Sequence, residues 1–184
     1  MIVIHAYDPR WPDEFERIRQ DLQATLGSLA QRIDHIGSTS VPGLGAKDVI
    51  DIQVTVERLS AEIIDRLTSA GYRHKAMRRD HVPPGEDESP ELWSKLLFVE
   101  PDGRRRAHIH VRVAGNPNQR YPLLFRDYLR AHPRSAEAVE RVKRGLALYH
   151  AGDVEAYYDI KDPVYDLIWD AAQEWAEMTG YDPG

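Results

Sequence analysis

Apolar residues recur near the start of the chain at spacings of three and four: Phe15, Ile18, Leu22, Leu26 and Leu29. That period lays one apolar stripe along a helix. Pro12 suits its first turn, and Asp13 and Glu14 suit the positive end of its dipole. Ahead of it, the β-branched run Ile2-Val3-Ile4 predicts a short strand or an extended arm, broken at Asp8-Pro9. Gln31 to Ile36 predicts a strand. Val49 to Val56 alternates, with Ile50, Ile52, Val54 and Val56 on one face and Val49, Asp51, Gln53 and Thr55 on the other. Leu59, Ile63, Ile64 and Leu67 mark a second helix that ends near Gly71.

The stretch Tyr72 to Val82 predicts a strand crowded with cations: Arg73, His74, Lys75, Arg78, Arg79 and His81. Such a row either steers an anion or guards an exposed sheet edge, and the second is the simpler reading. Beyond an acidic loop from Pro83 to Pro90, Leu92 to Val99 and Ala107 to Val113 predict two strands joined across Asp102-Gly103, a hairpin turn signal. From Gln119 onward the period is helical. One helix carries Leu124, Phe125, Tyr128 and Leu129 and stops at His132-Pro133. A second carries Val139, Val142, Leu146 and Tyr149. A third opens at Asp162-Pro163, a cap followed by proline, and buries Leu167, Ile168, Ala171, Trp175 and Met178. The chain therefore reads as one α/β (α+β) domain over 1–184, with a sheet-containing core over 1–115 and C-terminal helices over 119–180.

Composition narrows the options. The 184 residues suit one domain, and 42 % hydrophobic residues suffice for its core. Cysteine is absent, which removes disulfides, thiolate zinc sites and cysteine nucleophiles and fits a reducing, cytoplasmic setting. No apolar run approaches a membrane span, and Met1 to Tyr7 lacks a basic lead into a long apolar stretch, so neither a membrane helix nor a signal peptide is expected. A net charge of −6 argues against gripping long nucleic acids and still allows a small anion held by local cations. The strings of P-loop ATPases, dinucleotide-binding folds and serine hydrolases are missing.

Chemistry concentrates between the first two central strands, in His35-Ile36-Gly37-Ser38-Thr39-Ser40-Val41-Pro42-Gly43-Leu44-Gly45-Ala46-Lys47. Gly37 lets the backbone turn sharply and lets a ligand approach. The hydroxyls of Ser38, Thr39 and Ser40, with nearby backbone N–H groups, are suited to phosphate oxygens, or simply cap the loop's own backbone. Lys47 adds a point charge, or is an ordinary solvated lysine. Asp51 follows on the polar face of its strand.

A Gly-Ser turn followed by a strand carrying Asp resembles the nucleotidyltransferase superfold. There the turn seats a nucleoside triphosphate, and carboxylates two residues apart on the next strand bind divalent metals. The full string from His35 through Lys47 to Ile50-Asp51-Ile52 is similar to the hallmark of the GrpB-like family. Tyr7-Asp8-Pro9-x-Trp11-Pro12, His108-Ile109-His110-Val111, Phe125-Arg126-Asp127-Tyr128-Leu129-Arg130 and Tyr157-x-x-x-Lys161 resemble its other blocks, so the likeness spans nearly the whole chain. It implies a nucleotidyltransferase-like fold with a mixed, largely antiparallel sheet flanked by helices. Related domains occur fused to dephospho-CoA kinase, where they are described as a folding accessory, which leaves a protein partner open.

The residues depart from the active superfold at one position. Where it has Asp, one residue, then Asp or Glu, this chain has Asp51 and Gln53. One carboxylate and one amide suit a pair of magnesium ions poorly. His108 and His110 share a strand face, and with Asp51 they suit manganese or zinc better than magnesium. His35 is a further candidate, as ligand or general base. The family likeness implies that Arg126 and Lys161 face the pocket. The expected arrangement is a nucleotide or other phosphorylated small molecule on Gly37, Ser38, Thr39, Ser40, Lys47, Arg126 and Lys161. A divalent metal (Mn, Zn or Mg) sits on Asp51, His108 and His110, and catalysis falls to Asp51, His35 and Lys47. Nucleotidyl transfer to a small acceptor is the leading chemistry. A non-catalytic module that kept the fold is the rival, and a different metal-dependent enzyme built on the histidines is the third option. All three turn on whether Ser38, Asp51 and His108 share one hollow.

Overall fold

A computed structural model describes residues 2–77 and 79–184. The chain runs through α1 (Trp11–Leu26), β1 (Arg32–Ile36), β2 (Ile50–Val56), α2 (Ala61–Ser69), β3 (Arg73–Lys75), α3 (Pro90–Trp93), β4 (Leu96–Val99), β5 (Ala107–Val113), α4 (Pro117–Ala131), α5 (Pro133–Tyr149) and α6 (Val154–Thr179). The strands form one sheet in the order β1-β2-β5-β4-β3. β2 and β5 run parallel and the remaining pairs antiparallel, so the sheet is mixed and mostly antiparallel.

Alternation assigns the two faces of this sheet. Ile50, Ile52, Val54 and Val56 are buried on one face beside Ile109, Val111 and Phe98, under Leu22 and Leu26 of α1 and Ile63 and Leu67 of α2. Burying each such side chain is worth about 1.5–3 kcal/mol. A one-residue slip of β2 would turn all four outward, so the register is firmly set. The opposite face carries Asp51, Gln53 and Thr55, each beside His108, His110 and Arg112 of β5 in turn. A face with that many polar groups needs cover that satisfies them. The C-terminal helices cover part of it, with α4 against β1 and β5 and the Gln119 carbonyl of α4 accepting from Gln53. They are held together by a second core that includes Leu124, Phe125, Leu129, Val139, Trp169 and Ala172.

Several elements differ from the sequence reading. The cationic stretch after Gly71 is a strand only over Arg73–Lys75, followed by a single bridge from Arg79 to Ser94. Arg78 lies outside the described residues. Pro90–Trp93 is a helical turn, so β4 begins later than expected; proline at its start and the burial of Trp93 favour the turn. The arm Ile2-Val3-Ile4 is not a strand, and its neighbour His5 makes one bridge to Ala46. The last helix starts at Val154, not at Asp162-Pro163. Asp153 caps it by accepting from the Ala156 N–H at 2.9 Å, and Pro163 is carried inside. Burial of Tyr157 gives the earlier turns an apolar anchor that offsets the hydrogen bond lost at Pro163. The buried stripe is also rotated: Trp169, Ala172 and Ala176 face in, while Leu167 and Met178 are exposed at 70 % and 87 %.

Candidate functional site

The parallel pairing of β2 with β5 sets Asp51 beside His108 and Gln53 beside His110. Asp51 Oδ1 lies 3.3 Å from His108 Nδ1 and 3.8 Å from His110 Nε2. Ligand atoms of Asp51, His108 and His110 all fall within 4.8 Å of one another. Burial works against ionising Asp51, but the two imidazoles turned onto the carboxylate outweigh it and hold Asp51 below the ordinary carboxylate range. Burial, reinforced by the Arg112 charge, pushes His110 down to about 4. At neutral pH the trio therefore offers one anion and a neutral imidazole at position 110. It is open to solvent, with Asp51 and His108 side chains 31 % and 37 % exposed. Two concavities of about 540 and 450 Å³ lie elsewhere, one lined in part by Glu14 and Tyr72 and the other by Leu44 and Glu140. Neither includes a member of the trio, so shape and chemistry point to different places, and ligand chemistry decides here.

Gly37 makes the turn that brings the signature loop over Asp51. Its φ of 68° lies in the left-handed range, and a Cβ there would stand 2.6 Å from Asp51 Oδ2. Gly37→Ala should cost about 1–3 kcal/mol of backbone strain. It should also push the carboxylate aside and weaken Mn²⁺ binding about tenfold or more. Calorimetric Mn²⁺ titration checks this, and an alanine variant that binds Mn²⁺ like the parent contradicts it.

The three hydroxyls after Gly37 divide. Ser38 lies beside the Tyr165 hydroxyl. Thr39 Oγ1 is buried and lies 2.9 Å from His35 Nε2, and Ser40 Oγ donates to the Gly37 carbonyl at 2.5 Å. Ser40 thus caps the loop's own backbone, Thr39 is spent on the His35 ring, and Ser38 has neither tie. His35 needs a firmer correction. It pairs with Ile52, so alternation turns it to the aliphatic face, where it stacks on Phe15 at 4.8 Å. Burial lowers it to about 4, which keeps the ring neutral. It neither ligates with Asp51 nor stands where a base for that site would.

Arg126 is also withdrawn from the site. Its guanidinium takes both oxygens of Asp127 at 2.7 and 2.8 Å and donates to the His35 carbonyl at 3.0 Å. It ties α4 to β1, and its charge is already matched. Lys47 and Lys161 remain. Lys47 Nζ sits 4.0 Å from the centre of the Tyr157 ring, and Lys161 Nζ sits 4.0 Å from that of Tyr165. Tyr158, 43 % exposed, lies between them at 5.0 and 5.1 Å. Burial lowers Lys47, and the neighbouring Lys161 charge adds to it. Lys161 also pairs with Asp162 at 2.6 Å.

Taken from the sequence alone, Lys143 reads as a surface or helix-pairing charge. It is buried, donates to the Gly45 carbonyl at 2.6 Å, and is pushed down to about 8 by burial despite the Glu140 and Asp51 charges nearby. Its signal was present: it falls four residues after Val139 and three before Leu146, within the apolar stripe of α5. Gln53 has a definite role. It is fully buried, accepts from Arg112 at 2.9 Å and donates to the Gln119 carbonyl at 3.0 Å. The position that would hold a second metal carboxylate is spent on a buried network.

The comparisons agree with this architecture. The GrpB protein family matches residues 1–171. A dephospho-CoA kinase of Mycobacterium leprae is 41 % identical over 192 residues, covering 95 % of this chain but 47 % of that protein, so the chain spans about half the length of such relatives. The crystal structure of a conserved GrpB protein from Enterococcus faecalis superposes with a TM-score of 0.73 at 29 % identity, covering 94 % of this chain and 99 % of that one. The Cid1 poly(U) polymerase bound to MgATP gives 0.53 at 13 % identity, over 78 % of this chain and 44 % of that one, and so shares the nucleotidyltransferase-like fold alone. No helix among the described residues is long and apolar enough to cross a membrane. With the hallmark loop, the histidine strand and the helical cover all in the expected order, the chain belongs to the GrpB family.

Proposed function

We propose that this protein binds a nucleoside triphosphate, or another phosphorylated small molecule, on the face bearing Asp51, and transfers the nucleotidyl group to a small acceptor with one divalent metal ion. The observation that carries the reading is the convergence of Asp51, His108 and His110 beside Lys47, Lys143 and Lys161. The donor set fits a borderline ion such as Mn²⁺ or Zn²⁺ better than Mg²⁺. Asp51 and His108 would hold it, with His110 beside them. Bound there, the ion would act as a Lewis acid on a phosphoryl oxygen. The chain's own groups do the rest. Lys47 and Lys161 neutralise phosphate charge, Ser38 and the Gly37 turn admit the phosphates closely, and Tyr158 offers a half-exposed ring for a base.

One observation favours a second reading. The burial of Gln53 leaves room for a single ion at most, and relatives named as dephospho-CoA kinase carry about as much chain again beyond the match. A non-catalytic module that retained the fold fits both facts. Melting with each triphosphate and Mn²⁺, Zn²⁺ or Mg²⁺ separates the two. A ligand at about a hundred times its Kd stabilises by about 2.7 kcal/mol, a rise of roughly 5–10 °C for a chain of this size. Pyrophosphate release with a metabolite pool then supports transfer. If no triphosphate moves the melting temperature with any metal, the enzyme reading fails and the module reading stands.

A further inference from the structure

Behind His110 lies a buried cluster that the proposed chemistry does not use. Asp80 accepts from Lys95 Nζ at 2.5 Å, from Arg112 Nε and Nη2 at 2.8 and 2.9 Å, and from Asn118 Nδ2 at 3.1 Å. Two cations thus share one carboxylate, with side-chain exposures of 5 % for Lys95 and 6 % for Arg112. Both also face His110 Nδ1, Lys95 Nζ at 3.5 Å and Arg112 Nη2 at 3.4 Å. Ammonium and guanidinium groups donate hydrogen bonds and accept none. A proton on Nδ1 would point at two buried positive charges, so the lone pair belongs there.

We infer that Asp80, Lys95 and Arg112 are positioning residues that lock neutral His110 in the tautomer with its proton on Nε2, so that His110 presents an N–H donor to the site and is not a metal ligand. Metal-bound histidines usually donate their other ring N–H to a carboxylate, a carbonyl or water. His110 has the reverse surroundings. Its Nε2 stands 3.8 Å from Asp51 Oδ1, too far for a full hydrogen bond. The N–H is then available to an anionic oxygen brought in beside Asp51. His108 makes no such cationic contact among the described residues, and its Nδ1 is 3.3 Å from Asp51 Oδ1. At that spacing the two atoms can share one tetrahedral ion, which leaves His108 as the histidine ligand. The donor's consequence for ligands rests on the function proposed above, whereas the tautomer does not.

Long-range ¹H–¹⁵N correlation of the ¹⁵N-histidine-labelled, metal-free full chain at neutral pH reads the tautomer directly. His110 should show a protonated Nε2 and an unprotonated Nδ1. Lys95→Met keeps Asp80 paired one-to-one with Arg112, so it should fold, and with Arg112 alone still facing Nδ1 it should populate the other tautomer in part. Zn²⁺ titrations supply a second readout. In the parent, His110→Ala should change Zn²⁺ affinity by less than about threefold while His108→Ala lowers it about a hundredfold. In the Lys95→Met background His110→Ala should cost about tenfold. A protonated Nδ1 in the parent, or equal loss of Zn²⁺ on removing either histidine, overturns the inference. If Zn²⁺ binds nowhere while Nε2 carries the proton, the metal in the proposed function is lost and the tautomer lock stands.

Discussion

Asp80→Ala should destabilise the protein by about 3–5 kcal/mol, the range for removing one partner of a buried ion pair. For a chain of this size that is a fall of roughly 6–20 °C in Tm. The loss does not come from Asp80's own contacts alone. Removing the carboxylate leaves Lys95 and Arg112 side by side, both nearly inaccessible to water, with only neutral acceptors beside them: Gln53 for Arg112, and the His110 Nδ1 lone pair for both. A control separates the two contributions. Adding Lys95→Met to Asp80→Ala removes one stranded cation and should recover part of the loss, so the double variant should be more stable than the single one. The pH dependence has a definite sign. Burial alone would raise Asp80, but the charges and hydrogen bonds of Arg112 and Lys95 win and hold it below the ordinary carboxylate range. A group depressed in the folded state stabilises above its unfolded pKa, about 3.9 for aspartate. The gap between parent and Asp80→Ala should therefore be full near neutrality and shrink as pH falls below about 4. Chemical denaturation at pH 7 and pH 3 measures it. A gap that widens in acid would mean that Asp80 does not carry this charge in the folded protein.

That cluster was the least legible part of the chain. Asp80 sits in a stretch where Arg73, Lys75 and Arg79 suggest a solvated edge, and nothing local shows that Lys95, just ahead of β4, and Arg112 of β5 meet it. Strand pairing is non-local, and a single sequence records only its faces. Where face alternation was the whole question, reading succeeded: β2 and β5 carry Asp51 and the histidine pair on one side because side chains on a strand repeat every two residues. The same rule, carried onto β1, would have removed His35, which is paired with an inward Ile52. The last helix was found by period but not in phase. α6 is apolar over so much of its circumference that Leu167 and Trp169 compete for the core, and only packing against α4 chooses Trp169. Arg126 shows the limit of reading charge by type. A cation in a family block suggests an anion ligand until its neighbours Asp127 and Asp34 are seen to hold it.

Asp51→Asn should change the site in two opposite directions, and the pair of effects is more telling than either. Asparagine keeps the shape and an acceptor oxygen but removes the sole carboxylate of the trio. At about 4 Å and an effective dielectric near 20, one unit charge on another is worth about 4 kcal/mol, and a divalent ion feels twice that before solvent rearrangement reduces it. A fall in Mn²⁺ or Zn²⁺ affinity of about a hundredfold or more is therefore expected. Anions should respond the other way. Lys47, Lys143 and Lys161 surround Asp51 closely enough to interact with it or with one another, and burial weakens the charge of Lys47 and Lys143. Removing the carboxylate takes one negative charge from among these cations, so pyrophosphate without metal should bind several-fold more tightly to Asp51→Asn than to the parent. Calorimetry with metal alone and with pyrophosphate alone reads both effects on the same folded variant. If Asp51→Asn binds Mn²⁺ as the parent does, Asp51 is not a ligand. If it binds metal-free pyrophosphate more weakly, the carboxylate was supporting the anion through the loop geometry at Gly37 rather than opposing it by charge. Only metal weakened and anion strengthened together agree with a site in which one carboxylate sets the balance between a cation and a phosphate chain.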